Sequence, residues 1–422
     1  MKFDLANMRE ILETLGHPER VRPSAIVAGT NGKGSTSAML ASILTCAGYR
    51  TGLYTSPHLL RVNERISVDG REIGDEEFAL AFSEVQHAVS GLLDRAILAQ
   101  RPSFFEFLTA TAFVHFARTP MDFIVLEVGM GGRLDATNVV EPEVAVITNV
   151  DLDHTEYLGT THAAIAVEKA GVIRPGRPVI SGCAHPEAAA VVETRSRELG
   201  AELIEIPNFA RVANLRPDHG RYGFDLALNG ICFSNLKSPL QGRFQVENAS
   251  AAVAAAWKLS ERGWNISGPA VTEGIARATW PGRIEVFAEQ PLTLLDGAHN
   301  PAAARALAEF VQSELAARPL VLVYASMRDK AIEEIAELLF PLASEVYITR
   351  TAQPRAAPPE EILARAGARA RPHLEQIHLE PDPARALDAA RRSTPSGGVV
   401  LAAGSLFLVG ALKQTLSPGR PR

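Results

Sequence analysis

A chain of 422 residues exceeds one hydrophobic core, and at roughly 100–200 residues per domain it implies two or three. Hydrophobic residues make up 46% and charged residues 21%, a balance that excludes a disordered or fibrous chain. A formal charge of -6 with no basic block argues against a nucleic-acid partner, and no apolar stretch approaches the ~18 residues of a membrane helix.

Cys46, Cys183 and Cys232 are far apart and odd in number, which suits a reducing compartment and points to neither disulfides nor a zinc site. Met1-Lys2-Phe3-Asp4-Leu5 lacks the apolar core of a secretion signal, so the expected location is the cytoplasm.

In chain order, the first strong signal is the apolar run Ser24–Ala28, which predicts a buried strand. Gly29, Thr30, Asn31, Gly32, Lys33, Gly34 and Ser35 follow, then a run with helical spacing from Ser37. Strand, glycine-rich turn, lysine and helix build a phosphate cradle: backbone N–H groups turn inward, the helix start adds positive charge, and Lys33 reaches terminal phosphates. The segment predicts binding of a nucleoside triphosphate. In the common loop the residue after lysine gives magnesium a hydroxyl, whereas here it is Gly34. A metal ligand must come from elsewhere.

The pattern then predicts a strand at Arg50–Thr55, helices near Asp75–Leu92 and Phe104–Arg118, and strands at Phe123–Val128 and Val144–Asn149. Thr161–Gly171 reads as a helix and Pro178–Ser181 as a strand. Alternation in Arg221–Leu228, an Asn229-Gly230 turn and Ile231–Phe233 predict a hairpin within a small β subregion near 210–242. A helix at Val246–Arg262 precedes a domain boundary placed near Trp280–Arg283.

Alternation restarts with strand Leu292–Leu295, helix Ala302–Ala316, strand Leu320–Tyr324, helix Ala331–Phe340 and strand Glu345–Ile348. It ends with strand Val399–Ala402, helix Leu406–Gln414 and a tail from Ser417 that reads as frayed. The expected fold is α/β: a phosphate-loop ATPase domain with a parallel sheet over 1–282, and a smaller Rossmann-like α/β domain over 283–422.

Three clusters carry chemistry. Glu127 ends a buried strand beside a glycine-rich turn, where a parallel sheet places ligands, and is a hard oxygen donor for magnesium; a structural salt bridge to Arg133 is the alternative. His154, at the end of the next strand, is open between a core histidine, a ligand and a general base; a zinc site with His162 lacks further ligands. Lys169 lies among apolar neighbours. It is either a snorkelling lysine or a desolvated amine able to form a carbamate with carbon dioxide.

The motifs GTNGKGS, TSPHL (55–59), NERI (63–66), EVGMGGRLDATN, DHTEYLG, EKAG, WPGR and DGAHNP, in this order, resemble the bacterial dihydrofolate synthase/folylpolyglutamate synthase group of the Mur ligase superfamily. The resemblance implies that Gly29–Ser35 hold the ATP phosphates, with Lys33 on the terminal ones. It implies Ser56 and Glu127 as magnesium ligands, and His154 with a carbamylated Lys169 at a second magnesium. By the same resemblance Lys33, Lys169, His154 and Arg283 would carry catalysis. It also implies that Asn248, Arg283, Asp296 and His299 would contact ATP, and that Ser103, Phe105, Glu106, Leu134, Asp135 and Ala136 would line a pterin pocket closed by Leu5–Met8.

The implied reaction is ATP-dependent addition of L-glutamate to dihydropteroate and to tetrahydrofolate through an acyl phosphate, by a monomer that binds neither nucleic acid nor membrane. The alternatives are a cell-wall amino-acid ligase and a nucleotide-dependent switch protein. The GKGS loop argues against the first, and the lack of D-x-x-G and N-K-x-D motifs argues against the second.

Overall fold

The computed structural model describes residues 4–367 and 376–415; the tail from Ser417 lies outside the described residues. The chain divides into two compact units. The first holds residues up to Arg216, Gly223–Pro239 and Gln245–Thr279; the second holds Pro217–Tyr222, Leu240–Phe244 and the chain from Trp280.

The first unit is built on an eight-stranded sheet. Its strands are β1 (Ser24–Ala28), β2 (Thr51–Tyr54), β3 (Ile66–Val68), β4 (Arg71–Glu72), β5 (Phe123–Glu127), β6 (Val144–Ile147), β7 (Val179–Ser181) and β8 (Leu203–Glu205), in the order β4-β3-β2-β5-β1-β6-β7-β8. Every residue of β1, β5 and β6 is buried, as expected for parallel strands with helices on both faces. The sheet is not wholly parallel: β2–β3 and β3–β4 pair antiparallel at one edge. One face packs Phe113, Phe116, Val85 and Leu126; the other packs Ile26, Ile147, Ile165 and Val192.

Strand β1 lies between β5 and β6, with Val27 opposite Glu127 and Ala28 opposite Ile147. The loops leaving these three strands therefore emerge side by side. That adjacency builds the site.

A three-stranded antiparallel sheet follows: β9 (Ala210–Asp218), β10 (Arg221–Leu228) and β11 (Ile231–Ser238). Asn229 (φ 46°) and Gly230 (φ 82°) both take the left-handed conformation that a tight hairpin turn requires.

The second unit has a six-stranded sheet of β12 (Glu285–Glu289), β13 (Leu292–Leu295), β14 (Leu320–Tyr324), β15 (Glu345–Ile348), β16 (Ile377–Leu379) and β17 (Val399–Ala403), in the order β12-β13-β17-β14-β15-β16. Only the β12–β13 pairing is antiparallel. Its core packs Leu307, Phe310, Leu322, Ile335 and Leu401. No helix among the described residues is long and apolar enough to cross a membrane.

Candidate active site

The phosphate loop joins β1 to the helix Lys33–Cys46, whose N-cap is Gly32. Gly32 sits at φ 80°, and a Cβ there would collide with the side-chain amide oxygen of Asn248. Gly29, at φ 148°, lies as tightly against Thr148. These two glycines are fixed by contact as well as by conformation.

Lys33 Nζ donates to the carbonyls of Gly29 and Thr30, at 3.0 Å each, which holds the ammonium over the loop. A helix start lacks intrahelical acceptors for its first N–H groups, which is the geometry phosphate oxygens use. A clamp on this loop comes from residues after β6, which sequence reasoning missed. Asn149 Oδ1 accepts from Asn31 N–H at 2.9 Å, Thr148 Oγ1 donates to the Asn31 carbonyl at 2.6 Å, and Thr30 Oγ1 donates to the Asp151 carbonyl at 3.0 Å.

At the end of β5, Glu127 is 4% exposed, and its Oε2 accepts from the Ser56 backbone N–H at 3.0 Å. The two residues named as metal ligands thus meet, one from each of two adjacent strands. Arg133, the alternative partner for Glu127, pairs with Glu168 at 2.8 Å. A buried carboxylate beside a half-buried serine fits a magnesium ion, which prefers hard oxygen donors.

Arg65 of the NERI segment is a further member of the site. Its guanidinium is buried, donates to His58 Nδ1 at 3.0 Å and lies 5.4 Å from the centre of the Phe104 ring. Burial pulls its pKa below the ordinary value, while Tyr54, Glu127 and Glu64 oppose that shift. An arginine inside a motif was the available signal.

Lys169 is 3% exposed, so the snorkelling alternative does not hold. Burial, followed by the nearby Lys33 charge, pushes its pKa down to about 7, against the opposing pull of Asp153, Cys183 and Asp135. At neutral pH the free-amine fraction rises roughly a thousandfold over an ordinary lysine. Two cations whose fields overlap at the loop also favour an anion there. His154 takes a left-handed backbone (φ 50°) as N-cap of the short helix Thr155–Leu158, and its Nε2 lies 3.9 Å from Asp153 Oδ2.

The residues named for a pterin pocket divide by what they already hold. Ser103 and Glu106 form a reciprocal cap on the helix Phe104–Arg118: Glu106 Oε2 accepts from Ser103 N–H at 2.7 Å, and Ser103 Oγ accepts from Glu106 N–H at 3.2 Å. That cap sets Phe105, whose ring lies against Gly129 and 6.2 Å from the Tyr54 ring.

Asp135 is buried and ties its own loop, accepting from Met130 N–H at 2.9 Å and from Thr137 Oγ1 at 2.6 Å. Burial raises its pKa, against these hydrogen bonds. Leu134 is half-buried beside it and Ala136 is buried. Leu5 and Met8 are buried too.

In the second unit, the WPGR and DGAHNP segments fold onto each other. Asp296 Oδ2 accepts from Ile284 N–H at 2.8 Å, and Oδ1 from Ala298 N–H at 2.7 Å. Ile284 sits at φ 48°, a costly conformation for a β-branched residue that these contacts hold in place. Burial raises the Asp296 pKa and Arg283 opposes that shift. Arg283 donates to the Gly282 carbonyl at 3.0 Å, and a His299 ring nitrogen lies 2.8 Å from the Gly297 carbonyl. Asn300 caps the helix Pro301–Glu314 by accepting from Ala303 N–H at 2.9 Å.

A phosphate loop, a strand-end carboxylate and a desolvated lysine near the loop lysine define an enzyme that handles phosphoryl groups. The profile of the Mur ligase middle domain matches residues 27–256, and that of the Mur ligase glutamate ligase domain matches residues 282–406. The dihydrofolate synthase/folylpolyglutamate synthase of Bacillus subtilis is 34% identical over 418 residues, covering 99% of this chain and 95% of that protein. The Escherichia coli protein of the same name is 33% identical over 400 residues, covering 93% and 86%.

Among solved structures, E. coli FolC in complex with DHPP and ADP superposes with a TM-score of 0.88 at 32% identity, covering 100% of this chain and 95% of that one. Mycobacterium tuberculosis folylpolyglutamate synthase complexed with ADP and AMPPCP gives a TM-score of 0.92 at 34% identity, covering 100% and 96%. The chain belongs to the Mur ligase family, within its dihydrofolate synthase/folylpolyglutamate synthase group.

Proposed function

We propose that this chain is an ATP-dependent ligase that joins L-glutamate to dihydropteroate and to tetrahydrofolate, acting as a cytoplasmic monomer. The observation that carries the reading is the phosphate loop after β1 beside Glu127 at the end of β5, which meets Ser56 after β2, with the desolvated Lys169 of the helix His162–Ala170 near enough to feel the Lys33 charge.

An amide does not form from a carboxylate and an amine in water without activation. A pterin-linked carboxylate oxygen attacks the terminal phosphorus of ATP, the bond to the bridging oxygen breaks, and ADP leaves. The glutamate nitrogen then attacks the acyl carbon and loses a proton, and the tetrahedral adduct expels phosphate. The chain's part is positioning and charge. Gly29–Ser35 cradle the phosphates, Lys33 and Arg283 stabilise the charge that spreads over the transferred group, and Asn248, Asp296 and His299 contact the nucleotide.

Ser56 and Glu127 would hold one magnesium ion, and His154 with a carbamate on Lys169 would serve a second. Bound magnesium supplies Lewis-acid neutralisation of phosphate charge. The carbamate follows from the neutral amine: nitrogen attacks carbon dioxide, loses a proton, and a buried cation becomes an anionic oxygen donor. Phe105, Leu134, Asp135 and Ala136 wall the pterin, and Ser103 with Glu106 fixes the helix that presents Phe105.

The test is ADP release by the purified chain with Mg-ATP and L-glutamate, comparing dihydropteroate with tetrahydrofolate. Turnover with both supports the bifunctional reading, and turnover with one restricts it to that half. No release with either overturns it and turns attention to a muramyl acceptor.

A further inference from the structure

His162, His185 and Glu187 form a cluster that no step above uses. His162 is the first residue of the helix His162–Ala170, His185 is the N-cap of the helix Pro186–Glu198, and Glu187 lies in that helix's first turn. One donor atom from each lies within 4.8 Å of the others. The imidazoles stack with centroids 3.7 Å apart and planes 7° from parallel. His185 Nδ1 is buried and has no hydrogen-bond partner. His162 Nε2 lies 3.6 Å from Asp151 Oδ1, which adds a carboxylate beside the pair.

We propose that these three side chains are a site for a borderline transition-metal ion, with Zn2+ as the best fit. Two imidazoles and a carboxylate, completed by water as the fourth ligand, are a donor set zinc accepts and magnesium does not favour. Tetrahedral ligation at zinc–nitrogen distances of about 2.0–2.1 Å brings donor atoms to roughly 3.3 Å of one another. The donor atoms, within 4.8 Å of one another, must close by at most about 1.5 Å. Half-buried imidazoles and the exposed Glu187 reach that by side-chain rotation.

If His185 ligates through Nδ1, the ion also gives that buried nitrogen the partner it lacks. Against it, the starts of two helices carry partial positive charge. Glu187 and Asp151 offset that, so affinity falls below that of a closed four-ligand zinc centre. The bound ion ties the first turn of the helix bearing Lys169 to the helix that follows it. Its role is a clamp, separate from the oxygen donors Ser56 and Glu127.

The test uses the full chain with magnesium in excess to fill hard-oxygen sites. Zn2+ binding is followed by calorimetry and Co2+ binding by its visible absorption. One saturable site is expected, with a Co2+ band of tetrahedral intensity and a thermal midpoint raised by Zn2+. His185→Ala and, separately, Glu187→Gln are expected to weaken Zn2+ binding about tenfold to a hundredfold, with ADP release in magnesium alone unchanged. Glu187 is exposed, so its variant keeps the test open if His185→Ala misfolds. Absence of a saturable site, binding untouched by either variant, or binding abolished by Glu127→Ala overturns the proposal and leaves a stacked imidazole pair.

Discussion

Replacing Lys169 with methionine separates a functional lysine from a structural one, because the two readings predict opposite changes in stability. Burial and Lys33 hold the native pKa near 7, against about 10.4 in an unfolded chain. The unfolded state therefore binds more protons between those values. The sign follows: the penalty is fully present below pH 7 and fades as pH rises towards 10.5.

Integrated over that shift, the charge costs the fold about 4 kcal/mol at pH 7 and about 1 kcal/mol at pH 10. Methionine has similar length and no charge. Lys169→Met is expected to be more stable than the native chain at pH 7, with the advantage shrinking by about 3 kcal/mol at pH 10. The measurement is urea unfolding of both proteins at the two pH values, without magnesium and in buffer freed of carbon dioxide. The same variant should lose most ADP release. A destabilised variant, or a stability difference flat with pH, would refute the desolvated-amine argument; retained turnover would remove Lys169 from the mechanism.

Glu127→Gln keeps the shape of the side chain and removes its charge, and ADP release should fall by about 10²–10³ while urea unfolding barely changes. Gly32→Ala places a Cβ against Asn248 at φ 80°, so ADP affinity measured by calorimetry should collapse. Gly48→Ala is the control: φ is 92° there, no atom lies within 4 Å of the added carbon, and only about 1 kcal/mol of stability should go, with ADP binding intact. Asp296→Ala strands two buried N–H groups, those of Ile284 and Ala298, and should cost about 2–4 kcal/mol in urea unfolding.

The site was legible where function sits at the end of a strongly patterned strand. Gly34 cannot offer magnesium a hydroxyl, and that local fact alone sends the search to other strand ends. Glu127 is such an end, legible in the sequence itself, whereas Ser56 comes only through the family resemblance; parallel neighbours put the two in contact. The elements that stayed hidden lack a local signal. Strand β9 pairs through its backbone, and all its residues after the first are exposed, so no alternation of burial marks it. The left-handed backbone of Ile284 contradicts the preference of its own side chain and exists only because Asp296 holds it. The Thr148–Asp151 clamp needs β6 beside β1, a pairing that spacing cannot reveal.

The histidines make the same point with a sharper consequence. Reading along the chain, His162 is compared with His154, its sequence neighbour, and no metal site assembles. In the fold its partner is His185, because the helices His162–Ala170 and Pro186–Glu198 follow adjacent parallel strands, β6 and β7. In such a sheet, helices that follow neighbouring strands begin near the same edge, so residues at their first turns meet however far apart they lie in sequence. Ligand pairs in an α/β chain are therefore better sought by comparing helix starts after strands expected to be neighbours than by spacing within one loop.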